Sequence, residues 1–520
     1  MKRIALGWLA PIIALGLSFW LVASPILRSP YWGDDMGNSQ IPMQFAFNGT
    51  QFWPWFQEQN LSWITTTGRY FPLSIIQGGS VFLTFTDRSS YKAYEFVILG
   101  VTVALAATLV GLAFRSRWFA FAAAGFTLCA IQMKSWYDPY WQFSGLQELV
   151  AALSIASMIF VILAVRAASW LTASLFALLS AACLVAAGVT YESSVFLVIC
   201  SLFLLVREAP RLARAIPIAA ALLTAAGGVL IHLWSLRSTA VVTNPAYQLS
   251  LEPHLVKETL VNQMVSAIPL SYGHFTRGSV LPSDPQLPVP WPITILIVGV
   301  FIAVMTVSTG RVIQTRRSGI GMFSLAALAF WTIPSIFVAV SARWQTEVQP
   351  GLGYIPVLFG ALAVGWLCVM GVAIIAQTLR FSNWNALIIK RGPAIVFGGF
   401  VSILAAGVLV ITSSSNVAAV QFPPFVELQS QRDSFAESIR NGLLAAPLPS
   451  NATVVRAVPD WWSWQNAPFA TWYGAPSTIR FITPEEAAVG GCSSSTACYD
   501  LIEQRLPDGK YAYSLRARSY

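Results

Sequence analysis

Apolar residues fall into about eleven long runs along this chain, separated by short polar stretches. The first runs from Ile4 to about Leu21, after Met1-Lys2-Arg3. The others cover 93–114, 118–133, 147–165, 169–190, 193–206, 215–235, 291–309, 319–341, 353–378 and 393–412. Most approach the ~20 residues that a helix needs to cross about 30 Å of hydrocarbon. The first run is too long for a signal-peptide core and further runs follow, so it reads as a retained anchor. The pattern predicts an all-α polytopic membrane protein of about eleven spans over 1–412, with a small α+β domain over 413–520.

One apolar segment breaks the rhythm. Residues 72–86 are short for a span and contain Gly78-Gly79 and Gln77. Charge decides how to treat them. If the segment does not cross, the inner loops carry Lys2, Arg3, Arg115, Arg117, Arg166, Arg207, Arg211, Arg214, Arg311, Arg316, Arg317, Arg380, Lys390 and Arg391, with Glu208 as their only acid. If it crosses, every later loop flips and the excess of inner positive charge disappears. The segment therefore reads as a re-entrant or interfacial helix on the outer side, with the N-terminus inside and the C-terminal domain outside.

Composition agrees with the pattern. Only 10% of residues are charged and mean hydropathy is +0.63, against about 25% charged in soluble domains. The net charge of +9 is spent on short loops between spans, so it does not indicate nucleic acid as a partner. The larger polar pieces are 28–92, 134–147, 236–290 and the tail after about 413, all on the expected outer face. In the tail, Asp433–Leu443 reads as a helix, and Thr453–Val458 and Thr478–Ile482 as strands. Cys492 and Cys498 are spaced for a local disulfide, which would require an oxidising compartment. Cys129, Cys183, Cys200 and Cys368 fall inside apolar runs. There is no P-loop and no dinucleotide-binding glycine turn.

Chemistry concentrates in the outer loops. Trp32-Gly33-Asp34-Asp35-Met36 places two repelling carboxylates just beyond the first span, and a loop that keeps them there has a use for them. Their bland reading is a pair of solvated acids capping a short helix. Trp136-Tyr137-Asp138 and Trp141 set another acid among aromatic rings, as sugar sites do, although Trp and Tyr at an interface are also ordinary belt residues. Glu192, in the turn Tyr191-Glu192, is either a network anchor or a site residue. Arg343 and Arg69 are candidates for holding a phosphate through a planar fork. For Arg343 the competing reading is a pair with Glu347 or snorkelling to headgroups. Tyr70, beside Arg69, joins the candidate substrate contacts.

These segments in this order resemble the GT-C superfamily of integral membrane glycosyltransferases, which use polyprenyl-phosphate sugars. The resemblance rests on Asp34-Asp35 after the first span, Gly68-Arg69-Tyr70-Phe71-Pro72 before a short helix, the acid Asp138 in a later outer loop, Tyr191-Glu192, and Gly351-Leu352-Gly353-Tyr354-Ile355-Pro356. It covers roughly residues 1–380. A Trp-Trp-Asp-Tyr-Gly motif of the oligosaccharyltransferase kind is absent, and Trp461-Trp462-Ser463 only echoes it. The resemblance implies an inverting transfer to a glycan, lipid or protein acceptor in the cell envelope of a bacterial inner membrane. A first-loop Asp would act as general base and Arg343 or Arg69 would sit at the donor phosphate. It requires no cofactor, and a divalent metal is compatible with it but not indicated. The rival readings are a transporter or flippase of lipid-linked sugars, an undecaprenyl-linked glycan ligase or polymerase using Arg237, His254, Lys257, His274 and Arg277 of the 236–290 loop, and a scaffold that only binds sugar lipid.

Overall fold

The structure is a computed structural model, and it describes residues 2–209, 212–239, 248–275, 286–314, 319–381, 392–445, 448–449, 451–457, 464–492 and 497–518. Arg211, Arg277, Arg316, Arg317, Lys390, Arg391, Val458 and Trp461-Trp462-Ser463 lie outside the described residues. The chain divides into two compact units. One comprises Met1–Arg28, Asn60–Ile75 and Lys92–Val420, the other Ser29–Gln59, Ile76–Tyr91 and Gln421–Tyr520.

Among the described residues, nine helices are long and apolar enough to cross a membrane: Leu9–Arg28, Arg88–Ala113, Leu146–Arg166, Trp170–Thr190, Ala213–Ser238, Trp291–Ile313, Ile320–Ala339, Val357–Thr378 and Ala394–Val420. The two remaining apolar runs form shorter pieces, each with a visible reason. The 193–206 run becomes a 3-10 turn, Glu192–Leu197, leading into the helix Val198–Glu208. The stretched 3-10 rise carries this piece roughly 28 Å in all. The 118–133 run is helical only over Arg117–Ala130, after which the backbone unwinds.

That unwound backbone is buried, which is tolerable at membrane depth only where protein supplies the missing hydrogen bonds. The last long helix supplies them. Asn416 Oδ1 accepts from Met133 N at 2.7 Å, and Asn416 Nδ2 donates to the carbonyls of Ile131 and Val22 at 3.0 Å. Thr412 donates to the Cys129 carbonyl, and Ser413 to that of Leu21. The sequence places the end of this apolar run at 412, just before the polar residues Ser413 to Asn416. The helix instead continues to Val420, because those side chains face protein rather than lipid. Elsewhere in the unit close approach is made by small residues. A Cβ on Gly365 would meet the Thr127 backbone at 2.8 Å, the kind of contact that lets membrane helices pack tightly. Glu208, the acid expected among the basic loops, is held by Arg166 at 2.6 Å and by Arg207.

The second unit contains a four-stranded sheet in the order β2-β1-β3-β4, made of β1 (Thr453–Val455), β2 (Arg480–Ile482), β3 (Cys498–Arg505) and β4 (Tyr511–Ala517). β1 runs parallel to β2 and β3, and β3–β4 is an antiparallel hairpin with Leu501 opposite Leu515. Cys492 and Cys498 are bonded. The sequence reading missed the hairpin, although Asp508-Gly509 marks its turn. It also started the tail helix too late. That helix is Pro423–Arg440, with the prolines in the first turn, where a missing N–H costs nothing, and Gly442 at φ 95° beyond its end. Phe435 of this helix packs edge-on against Tyr513.

The first polar stretch was grouped with the spans by sequence, but 29–59 and 76–91 cluster with the tail. Side chains tie them there. Gln429 accepts from Tyr31 N at 3.0 Å, Trp32 packs tilted against Phe425 with ring centres 3.9 Å apart, and Asn466 donates to Gln40 at 2.7 Å.

Candidate functional site

In the second unit, Gly33 takes φ 58° and ψ −135° immediately before the short helix Asp34–Asn38. A side chain there would strain the backbone, so glycine sets the turn that starts the helix. The two carboxylates part company. Asp34 is exposed, whereas Asp35 is fully buried. Trp32, expected to touch substrate, is instead 6% exposed and fills the space over Phe425. Tyr31 packs against Tyr91, and Tyr91 stacks on Phe82. On another side of Tyr31 sits Arg432, a residue that no sequence signal singled out.

The first unit gathers most of the other candidates. Arg69 makes a two-pronged pair with Glu192, Nε to Oε1 at 3.2 Å and Nη2 to Oε2 at 2.8 Å. Its guanidinium lies over Phe71 at 4.6 Å and Tyr191 at 5.7 Å. Next to it, Tyr70 meets His232 edge to face. The Gly-Arg-Tyr-Phe-Pro loop and the Tyr-Glu turn, far apart in sequence, are thus joined.

A second pair involves Arg343, whose Nε donates to Glu347 Oε1 at 2.9 Å while its guanidinium covers Trp344 at 4.5 Å. Tyr137 donates to Glu347 Oε2 at 2.6 Å. Burial and the neighbouring Glu347 carboxylate both push the Tyr137 phenol up from its usual range. Tyr354 stacks on Trp344 at 3.6 Å and meets Tyr137 at 5.6 Å. Gln263 holds Tyr354 from both ends, accepting from its N–H and donating to its carbonyl. The two pairs differ in geometry. The fork of Arg69 is engaged on Glu192 through two nitrogens, whereas Arg343 meets Glu347 through Nε. Trp136, next in chain to Tyr137, is 43% exposed.

The loop from Lys134 to Trp141 folds inward. Asp138 is fully buried, and its two oxygens accept from Lys134 N at 2.6 Å and Tyr140 N at 2.7 Å. Burial pushes its carboxyl up, and the two N–H groups pull it back. The Lys134 ammonium is buried as well, which pulls it down, and it donates to the carbonyls of Ser266 and Leu352. Trp141 is fully buried and donates to Lys134 O, while Lys92 donates to Trp141 O and pairs with Glu95 at 2.9 Å. Asp138 and Trp141 therefore act inside the protein. Lys92, Glu95, Lys134, Gln263 and Asn416 escaped the sequence reading because each carries weight only through distant partners. Among the described residues no group of three or more His, Cys, Asp or Glu side chains is gathered to hold a metal ion.

No family model matches the sequence, and no curated protein matches it. Solved structures do show likeness. ArnT from Cupriavidus metallidurans bound to undecaprenyl phosphate is 13% identical, with a TM-score of 0.43 over 96% of this chain and 93% of that one. The same protein in its apo state is 15% identical, with a TM-score of 0.43 over 97% and 94%. The Archaeoglobus fulgidus oligosaccharyltransferase in its apo form is 12% identical, with a TM-score of 0.42 over 92% of this chain and 65% of that one. Likeness of this degree gives no role to any residue here; the roles must come from the chain's own geometry.

Proposed function

We propose that this chain is a membrane glycosyltransferase that moves a sugar from a polyprenyl phosphate to a hydroxyl of a cell-envelope glycan, lipid or protein acceptor on the outer face, with inversion at the anomeric carbon. The observation that carries the reading is the meeting of separate motif segments. Arg69 is forked onto Glu192, and Tyr137, Arg343, Glu347 and Tyr354 form one cluster. Their order along the chain resembles the GT-C superfamily, and their contacts are what a shared site would need.

Asp34 is the general base in this reading. It is the exposed member of its pair, so an acceptor hydroxyl can reach it. As the bond from the anomeric carbon to the phosphate oxygen breaks, its electron pair leaves with the polyprenyl phosphate. The acceptor oxygen then bonds to that carbon, and its proton passes to Asp34. An oxocarbenium-like transition state acidifies the incoming hydroxyl, so a weak base suffices. The phosphate needs cations rather than a proton, and Arg343 is the more exposed of the two arginines, with 32% of its side chain accessible against 25% for Arg69. Arg69, committed to Glu192, holds the motif loops together. Trp136, Tyr137 and Tyr70 supply flat faces for the sugar.

Incubating the purified protein with a panel of polyprenyl-phosphate sugars and an acceptor fraction tests this directly. Consumption of one donor, lost on Asp34→Asn, is expected. A folded protein that consumes none of them overturns the reading.

A further inference from the structure

Arg432 lies midway along the helix Pro423–Arg440 and is 4% exposed. Among the described residues it pairs with no carboxylate, and no oxygen accepts from it. Its one hydrogen bond runs from Nη1 to Met36 Sδ at 3.6 Å, and a thioether is a weak acceptor. The guanidinium carbon lies over the ring of Tyr31 at 4.7 Å and over that of Phe469 at 5.5 Å. Asp433, the next residue, accepts from Gln429 and pairs with Arg88.

Burying a guanidinium without an anion is costly, and the two rings recover part of that cost while fixing its plane. They leave the N–H edge over. Apart from the Nη1 contact with Met36, its nitrogens have no hydrogen-bond acceptor among the described residues. A planar fork held this way suits two oxygens of one anion, which a lysine cannot copy. The residues of the first polar stretch that touch Arg432, Tyr31 and Met36, flank Asp34 and Asp35 in sequence.

We infer that Arg432 is an anion seat in the compact unit that bears Asp34, and that the group it takes is a phosphate presenting two oxygens to the guanidinium edge. A lipid phosphate as the source rests on the glycosyl-transfer reading; phosphate binding itself does not.

The test titrates inorganic phosphate, and separately undecaprenyl phosphate in nanodiscs, into wild-type protein and into the Arg432→Lys and Arg432→Met variants. Ionic strength is held constant with chloride. The readout is the thermal unfolding midpoint, which rises with any ligand that binds only the folded state, and circular dichroism checks that each variant is folded. Inorganic phosphate should raise the wild-type midpoint, with apparent affinity about tenfold weaker in Arg432→Lys and the response absent in Arg432→Met. Equal responses in wild-type and folded Arg432→Met overturn the inference, as does a wild-type protein that responds to neither ligand. If Arg432→Met fails to fold, the lysine variant decides, and unchanged affinity there overturns it. A response to inorganic phosphate alone supports the seat and removes the lipid from it. Arginine-dependent phosphate binding in a chain that transfers no sugar leaves the seat standing and sinks the proposed function.

Discussion

Two segments of this chain carry the same sequence signal, an acid beside aromatic rings just past an apolar run, and they meet opposite fates. In Trp32–Met36 the helix begins at Asp34, so its carboxylate stays exposed while Trp32 and Asp35 are buried. In Lys134–Trp141 the acid is the buried element. Asp138 spends both oxygens on backbone N–H groups four residues before and two after it, and Trp136 is left exposed. A carboxylate already accepting two hydrogen bonds in the interior organises a loop and has little left to offer a substrate. The difference lies in the backbone that follows each acid, helical in one case and irregular in the other.

Substitution sharpens that contrast. Asp34→Asn keeps the shape and loses the proton acceptor, so donor turnover should fall by roughly 10²–10⁴-fold with an unchanged unfolding midpoint. Asp138→Ala strands two buried donors and should cost roughly 2–6 kcal/mol of stability, read from thermal unfolding, while turnover per folded molecule stays near wild type. The contrast breaks if Asp138→Asn abolishes turnover without loosening the fold, for then the buried acid is the reactive one. A smaller effect is expected at Arg343→Lys, which keeps the charge and loses the fork; donor use should weaken by about 1–3 kcal/mol. Neutralising Arg343 and Glu347 together with no change in donor kinetics would return the pair to a structural role. Least of all, Arg505→Gln removes an exposed pair with Glu427 at 3.2 Å and should move stability by less than about 1 kcal/mol.

Much of the fold was legible because membrane spans are encoded locally, in apolar length and in loop charge. Asp34, Asp138 and the Arg69 and Arg343 loops could be singled out too, as residue types in an order. What could not be read was which polar groups turn inward. Thr412 to Asn416 looked like the end of a span, and they are its inward face. The Asp138 carboxylate looked available because nothing nearby in sequence says that Lys134 N and Tyr140 N will claim it. Arg432 sat in an ordinary amphipathic helix, and its meaning comes from Tyr31, some 400 residues earlier. The β3–β4 hairpin is the exception, since its Asp508-Gly509 turn was there to be noticed.

The hydrogen bonds of Asn416 also set an order of events during synthesis. Met133 and its partner are 283 residues apart, a distance that a ribosome working at ~5–20 residues per second takes on the order of 15–60 s to cover. Throughout that interval the break after Ala130 lacks the donors and acceptors that close it, and water or the insertion machinery has to stand in. The final membrane helix is thus a latch that closes last. Truncation before residue 416 should leave the Lys134–Trp141 loop open to proteases in a chain whose earlier spans are already in place.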